Sequence, residues 1–309
     1  MVLAKRRDVS SNLISGWANI LLNLMFIACV VVCLYPLLMV LGISFTDETS
    51  LKDWGYRVIP KVFSTYSYQY VIATASTILR AYGVTIFVAL AGTVLHLAIT
   101  SMFAYTLSRP EFSFRNALTV FIIIPMLFSG GMVPWYIVCT QLLHLKNTIF
   151  ALFVPSLFST WNVIVLRTFM KSNIPDSLIE SARLDGSTEF KTFIKIVLPL
   201  SKAGLATIGF MVALGFWNDW WHPLMLISDE KLYNLQYLLY RIMNQIQFLQ
   251  TIASRSASVA LLTQGASKYI PQETTRMAMC VMTIGPIVLA YPFFQRFFVK
   301  GLVIGAVKG

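Results

Sequence analysis

The stretch ESARLDGSTEFKTFIKIVLP occupies Glu180–Pro199 and lies between two strongly apolar parts of the chain. Upstream, Pro175 can open a helix, and Gly186 suits the left-handed residue that ends one. Ser187 can cap a second helix, which the closing Leu-Pro then stops. The pattern predicts a helix–turn–helix hairpin over 173–199 that is too polar to enter lipid.

The second helix of this hairpin carries an apolar stripe. Phe190, Phe193, Ile194 and Val197 fall at positions i, i+3, i+4 and i+7, which share one face of an α-helix. A surface that mixes charged and aromatic side chains suits docking into a groove on a soluble partner. It also suits a helix lying on lipid headgroups, so the residues alone leave both interpretations open.

The rest of the chain has the composition of a membrane protein. Hydrophobic residues make up 57% of the 309 residues, charged residues 12%, and the mean hydropathy is +0.71. Soluble domains carry about a quarter charged residues. We therefore expect an all-α polytopic membrane protein. The net charge of +11 is not gathered into a nucleic-acid-binding motif, and the four cysteines lie in apolar runs without metal-site spacing.

Six apolar segments are long enough to cross a bilayer, which takes about 20 residues. They lie within a single transmembrane domain, 1–309, and are 17–44, 81–107, 117–140, 148–170, 203–227 and 277–299. Proline and glycine interrupt the third and sixth, which predicts bent helices. Basic residues concentrate in the N-terminus, the second and fourth loops and the tail 300–309, so we expect both termini in the cytoplasm. The long loop 228–276 then lies outside.

The fifth span ends in a group of polar and aromatic residues that could contact a sugar. They are Trp217, Asn218, Asp219, Trp220 and Trp221. In one continuous helix Trp217 and Trp221 would share a face, as would Asn218 and His222. Aromatic, amide and carboxylate groups can stack on and hydrogen-bond a sugar. An interfacial tryptophan belt with a structural aspartate is the alternative. We interpret His96, in the second span, as a packed or lining residue and not as a proton relay.

The hairpin resembles the EAA loop of permease subunits in binding-protein-dependent ABC importers. The matching residues are Glu180, Ala182, Asp185, Gly186, Phe193, Ile194, Leu198 and Pro199, while Ser181 replaces a small residue of the pattern. The stretch GFWNDWWHPLMLI is similar to the Trp-Asn-Asp region of sugar-importer permeases. The C-terminal QRFFVKGLVIGAVKG resembles the end of the smaller maltose-type permease subunit, and the third and fourth spans resemble oligosaccharide permeases of Gram-positive bacteria.

This resemblance implies a type I importer permease fold with six spans in a bacterial plasma membrane. It implies that the hairpin couples to cytoplasmic ATPases, through Glu180, Ser181, Ala182, Asp185, Gly186, Phe190, Phe193, Ile194, Leu198 and Pro199. The tail would enter the space between the ATPases, with Val307, Lys308 and Gly309 at its end. The chain itself would be non-catalytic and hold no cofactor, because ATP and Mg bind the ATPase subunits.

The resemblance also implies a set of partners. They are a second permease in a heterodimer, two ATP-binding subunits, an extracellular binding lipoprotein, a carbohydrate and the lipid bilayer, with no nucleic acid. A gradient-driven secondary transporter of a polar solute is the alternative function. That class needs ionisable relays at mid-depth in the membrane, and the six spans offer almost none. A membrane-embedded enzyme would need clustered catalytic groups, which the sequence does not present.

Overall fold

The computed structural model describes residues 16–73, 75–255 and 273–306, which are mostly helical. Its α-helices, in chain order, are α1 Gly16–Ser44, α2 Glu48–Trp54, α3 Tyr66–Ala73, α4 Ala75–Ser108, α5 Arg115–Leu127, α6 Met132–Ile137, α7 Thr160–Asn173, α8 Asp176–Leu184, α9 Glu189–Thr192, α10 Leu198–Leu200, α11 Lys202–Trp217, α12 Trp221–Leu226, α13 Leu235–Arg255 and α14 Glu273–Ala306. The expectation of an all-helical polytopic membrane protein is confirmed.

Two of these helices, Gly16–Ser44 and Ser76–Ser108, are long and apolar enough to span a membrane unbroken. Three bent pairs bring the number of candidate spans among the described residues to as many as five. The sixth predicted span lies within α14, which runs through Pro286 and Pro292 without ending at either. The count of six therefore stays a prediction.

The third, fourth and fifth predicted spans are not single helices. The third bends by 112° between Arg115–Leu127 and Met132–Leu142, in line with the predicted interruption, and its Gly131 has a φ of +85°. The predicted span 148–170 is wrong as one α-helix, because its first part forms two 3₁₀ turns before α7. The predicted span 203–227 is also wrong as one helix, because α11 ends at Trp217 and α12 begins at Trp221.

The described residues form two compact units. The first contains residues up to 70 together with 273–281, and the second contains residues 71–255 together with those from 282 onward. The first unit contains α1, α2 and the start of α14. In it the carboxylate of Glu48 accepts hydrogen bonds from the backbone N–H and hydroxyl of Thr274, at 3.1 and 2.9 Å. The hydroxyl of Ser67 donates to the same threonine hydroxyl at 2.7 Å. These bonds fix the first turn of α14 within the unit.

The second unit is organised around α4, which packs against α7 and α11. The approach of α11 to α4 depends on Gly92, where an added Cβ would lie 2.7 Å from the ring of Phe216. Small residues at such positions let membrane helices approach closely. Helix α13 lies in the predicted loop 228–276, whose residues 256–272 are outside the described part. Val307, Lys308 and Gly309 of the predicted tail also lie outside it.

Candidate functional site

The hairpin turns at Gly186, which has a φ of +76° as the sequence predicts. The N–H of Gly186 donates to the carbonyl of Arg183 at 2.9 Å, and the N–H of Ser187 donates to the carbonyl of Ala182 at 2.9 Å. This pair of bonds is the Schellman arrangement that closes a helix and requires the left-handed residue between them. A Cβ added at Gly186 would meet no heavy atom of the described residues within 4 Å beyond its chain neighbours, so the turn is open at this point.

The second arm of the hairpin differs from the predicted regular helix. Thr188, and not Ser187, caps it by accepting a 3.4 Å hydrogen bond from the N–H of Lys191. A π-helical turn occupies Phe193–Val197, and the helix runs through Pro199 to Leu200 instead of stopping at the proline. The single helical segment predicted for this arm is therefore wrong in its cap, its winding and its end.

This winding divides the predicted apolar stripe. Phe193 and Val197 are buried, at 7% and 0% exposure, whereas Phe190 and Ile194 are 66% and 45% exposed. A π-turn holds more residues per turn than an α-helix, so a 3.6-residue pattern does not carry through it. Phe190 also lies in the first turn after the tip. The prediction of one continuous stripe is wrong, and the two pairs face different surroundings.

The buried half of the stripe belongs to a core that holds the hairpin against the helix bundle. Ile179 of the first arm is 1% exposed, and it shares one cluster with both buried residues of the second arm. Their partners come from three bundle helices and the residue after α7; they are Ala104, Tyr105, Leu166, Met170, Ile174 and Ile208. The hairpin is thus packed onto the ends of α4, α7 and α11.

Charged side chains also hold the hairpin against α4, and we call this set of contacts the hairpin brace. Arg183 donates from Nε to Glu189 at 2.7 Å, across the hairpin, and from Nη1 to Glu111 at 3.0 Å, beyond the end of α4. The hydroxyl of Tyr105, on α4, donates to the second oxygen of Glu189 at 2.7 Å. The ring of Tyr105 also lies 5.3 Å from that of Phe193. A movement of the hairpin tip is therefore connected to α4 through both arms.

A second anchor lies at the start of the first arm. Arg109, which is 5% exposed, donates to Asp176 at 3.2 Å, and its guanidinium lies 5.3 Å from the centre of the Tyr105 ring. A buried guanidinium needs such partners, because removing a charge from water is costly unless it is paired. The anchor fixes the first helix of the hairpin relative to α4.

The bracing pairs are charged at neutral pH. The hydrogen bond from Tyr105, followed by that from Arg183, holds the pKa of the Glu189 carboxyl below its ordinary value. The pKa of the Glu111 carboxyl is also lowered, mainly by a hydrogen bond from its own backbone N–H and further by the hydrogen bond and charge of Arg183. Bonds to both carboxylates raise the pKa of Arg183. Glu111 lies in the segment between α4 and α5, and Arg183 and Glu189 lie on either side of the turn at Gly186.

The tip presents a mixed surface of apolar and charged side chains. Leu184, beside the turn, is 89% exposed, and Phe190, in the first turn of the second arm, is 66% exposed. Glu180, Ser181, Asp185, Leu198 and Pro199 complete the predicted residues of the hairpin; all but the half-buried Leu198 are exposed, while Ala182 is buried at 8%. Large exposed apolar side chains together with carboxylates at one turn form a surface suited to a groove on a partner.

The group of residues at the end of α11 has a different geometry from the predicted helix. Helix α11 ends at Trp217. Asp219 then caps the short α12 by accepting hydrogen bonds from the backbone N–H groups of Trp221 and His222 at 3.1 and 3.2 Å. The other carboxylate oxygen accepts from Nδ1 of His222 at 2.8 Å. The prediction that Trp217 and Trp221 share one helix face is therefore wrong, and Asp219 is positioned as a cap.

A polar cavity of about 240 Å³ opens beside this cap. It is lined by His96, Ser156, Val212, Gly215, Phe216, Asp219 and His222. His96 is 2% exposed and hydrogen-bonds the carbonyl of Ser156 and the amide of Asn162, each at 3.0 Å. The Ser156 hydroxyl lies 3.4 Å from Nε2 of His222. Residues from four parts of the chain are thus hydrogen-bonded in one row. The order is Asn162, His96, Ser156, His222 and Asp219, and Ser156 takes part through both its carbonyl and its hydroxyl.

The remaining members of the predicted substrate path lie around this cavity without lining it. Trp217 donates to the carbonyl of Thr283 at 3.3 Å and lines a separate apolar cavity of about 200 Å³. Asn218 accepts from Gln236 at 3.2 Å. Trp220 stacks on Tyr240 with ring centres 4.9 Å apart, and Trp221 lies 4.5 Å from Trp135. Of the five predicted residues, Asp219 alone is in the polar lining.

Sequence reasoning missed Arg183, Arg109 and Tyr105 in the hairpin brace, and Ser156 in the cavity; it named His222 only as sharing a helix face with Asn218. The brace had a partial signal, because basic residues at the end of α4 and acidic residues in the hairpin are complementary in charge. Ser156 had no such signal, because it ends a 3₁₀ turn that no periodicity marks.

Comparison with known proteins gives a consistent relationship over the whole length. Residues 1–304 match the family described as "Binding-protein-dependent transport system inner membrane component". The chain is 36% identical to Protein LplC of Bacillus subtilis (strain 168), over 93% of this chain and 94% of that protein. It is 34% identical to the polygalacturonan/rhamnogalacturonan transport system permease protein YtcP of the same organism, over 90% and 93%.

Two further similarities cover both sequence and structure. The arabinooligosaccharides transport system permease protein AraQ of Halalkalibacterium halodurans is 30% identical, over 94% of this chain and 96% of that protein. A crystal structure of a bacterial ABC transporter involved in the import of the acidic polysaccharide alginate contains a chain that matches with a TM-score of 0.78. That match has 25% identity and covers 91% of this chain and 96% of the other.

Proposed function

Because the chain belongs to the family of binding-protein-dependent transport system inner membrane components, we propose that it is the transmembrane subunit of an ATP-driven sugar importer. It acts with a second permease, two ATP-binding subunits and an extracellular binding protein that delivers the sugar. Relatives named as permeases for arabinooligosaccharides and for polygalacturonan support a carbohydrate substrate. Those names include neutral and acidic sugars, so ancestry leaves the charge of the substrate open.

The observation that carries the proposal is the combination of a braced base and an exposed tip in the hairpin. The base is fixed to α4 by the Arg183 and Arg109 ion pairs and by the buried core around Phe193. The tip presents Leu184 and Phe190 to a partner. A rigid lever of this kind can transmit movement of a bound ATPase to the bundle, where a flexible loop would absorb it.

The mechanism follows from this connection. Closure of the two ATPases around ATP and Mg moves the docked hairpins, and through the brace it moves α4 and the helices packed on it. The permease pair alternates between states open to each side of the membrane, and the sugar is released inside. Both termini and the hairpin lie in the cytoplasm. This chain contributes no catalytic group to ATP hydrolysis.

Co-purification of a tagged chain from its native membrane tests the proposal. With the wild type, a second permease and an ATPase should elute together and hydrolyse ATP. Gly186→Glu should release the ATPase, because it removes the left-handed glycine and adds a charged side chain at the tip. Gly55→Glu is the matched control, since Gly55 has a φ of +71° but lies at the end of α2. A wild-type chain that elutes alone in mild detergent contradicts the proposal and directs the search to ion-driven uptake.

A further inference from the structure

In the polar cavity, the hydrogen bond between the Ser156 hydroxyl and Nε2 of His222 is long, and both groups can hydrogen-bond a ligand instead. Nδ1 of His222 donates to Asp219 at 2.8 Å, so in the neutral ring Nε2 is an acceptor. Its nearest partner, the Ser156 hydroxyl, is 3.4 Å away, near the limit of a hydrogen bond. A ligand group between them can replace one long bond with two of ordinary length.

The other polar groups of the cavity are committed and hold this pair in place. His96 is engaged at both ring nitrogens: Nδ1 donates to the Ser156 carbonyl and Nε2 accepts from Asn162, each at 3.0 Å. The bond from His96 fixes the backbone of Ser156, and the bond to Asp219 fixes the ring of His222. Phe216, which is 4% exposed, supplies an aromatic wall, and Gly215 leaves open space where a side chain would project.

We propose that this cavity is a subsite for an uncharged, hydroxyl-rich sugar ring on the transport path. The proposal rests on the proposed function and assigns the chemistry of the ligand at one place in this chain. A sugar hydroxyl is both donor and acceptor, so it can donate to Nε2 of His222 and accept from Ser156. An apolar wall with a few fixed polar groups is the usual composition of a small-molecule site.

The same groups disfavour a sugar carboxylate. A carboxylate only accepts, so it would leave the neutral Nε2 of His222 without a donor. The Asp219 carboxylate lies on the cavity wall, and like charges brought together are repelled. The residues that line the cavity include no lysine or arginine to compensate. The cavity therefore distinguishes a neutral sugar unit from a uronate, which the names of the related proteins do not.

Gly215 provides the test, because it lines the cavity and has open space at the position of an added Cβ. A Cβ at Gly215 meets nothing within 4 Å, and the residue lies inside α11, where alanine or leucine suits a helix better than glycine. Gly83 is the matched control: it also lies inside a helix, α4, with nothing within 4 Å of an added Cβ, and does not line the cavity. The two leucine variants therefore share the glycine-to-leucine change within a helix, and only Gly215→Leu places the new side chain in the lining of the cavity.

The measurement is equilibrium binding of radiolabelled raffinose, maltotriose and trigalacturonate to the purified importer in nanodiscs, without its binding protein. Wild type should bind a neutral trisaccharide at least about tenfold more tightly than trigalacturonate. Gly215→Leu should weaken neutral-sugar binding about tenfold or more. Gly83→Leu should leave it unchanged. Gly215→Ala, which adds one methyl group, gives a smaller loss and serves if the leucine variant does not assemble.

Three results overturn the subsite. They are no binding of either neutral trisaccharide, binding of trigalacturonate as tight as theirs, and normal neutral-sugar binding by the Gly215 variants. The same preparations distinguish this failure from failure of the proposed function. If the wild-type chain carries its ATPase while the Gly215 variants bind sugar normally, the subsite alone is wrong. If the wild-type chain carries no ATPase, the proposed function is wrong.

Discussion

Replacing Gly186 with alanine places a Cβ on a residue whose φ is +76°. Apart from its two neighbours in the chain, no heavy atom of the described residues lies within 4 Å of that Cβ, so no clash with them contributes to the cost. The cost is the strain of the left-handed conformation, roughly 1–2 kcal/mol for a residue other than glycine. We expect the alanine variant to relax this turn when it is undocked, so that docking has to restore the left-handed conformation. The ATPase should then bind about 5–30-fold more weakly.

The assay is titration of the purified ATPase against permease pairs in nanodiscs that carry Gly186→Ala, Gly186→Asn or Gly55→Ala. Asparagine tolerates the left-handed region and should restore part of the affinity. Gly55 has φ +71° and ψ −173°, a region that is essentially restricted to glycine, so its alanine variant carries at least as much strain outside the hairpin. Wild-type affinity in Gly186→Ala, or an equal loss in Gly55→Ala, would refute the reasoning.

Three further predictions concern the brace and the cavity. Arg183→Ala removes the pairs with Glu189 and Glu111, each partly exposed and worth about 0.2–1 kcal/mol, so limited proteolysis of the hairpin should accelerate. Arg183→Lys should keep part of the protection, and unchanged cleavage in Arg183→Ala would show that the pairs do not hold the hairpin. The pKa of Glu189 in the folded chain lies below its ordinary value of 4.5, so its contribution is complete above pH 4.5 and is lost as the pH falls through the folded pKa. Hairpin cleavage should therefore rise only on the acid side, with a smaller acid step in Glu189→Gln; a rise between neutral and alkaline pH would be inconsistent. Asp219→Ala removes the cap of α12 and the partner of His222, which should lower stability by about 0.5–2 kcal/mol in thermal unfolding. Asp219→Asn should lose less, because its amide oxygen can still accept from the backbone, and an equal loss in both variants would argue against the cap.

The sequence was most informative where one residue decides a local geometry. Gly186 was predicted as the left-handed end of the first hairpin arm, and its φ of +76° confirms that conformation. Hydropathy predicted the membrane class, because the free energy of burying apolar side chains in lipid depends on composition and length. The resemblance of the hairpin to the EAA loop predicted the family to which the chain belongs.

Local pattern could not predict how packing changes the helices. The π-turn at Phe193–Val197 lets two of the four stripe residues enter the bundle core, and a 3.6-residue period contains no sign of it. The break after Trp217 depends on Asp219 capping α12, a contact that competes with continuing an apolar helix. The cavity depends on His96, Ser156 and His222, which are distant in the chain and become neighbours only in the folded bundle.

The central claim, that the hairpin tip is the contact with an ATPase, is tested most directly by photo-crosslinking in the native membrane. A benzophenone amino acid is placed at Leu184, 89% exposed beside the turn, or at Ile59, 80% exposed in the segment after α2. After illumination, mass spectrometry identifies the partner. The account predicts a nucleotide-binding ATPase chain attached at position 184 and none at position 59. An ATPase attached at both positions, or at neither, would contradict it.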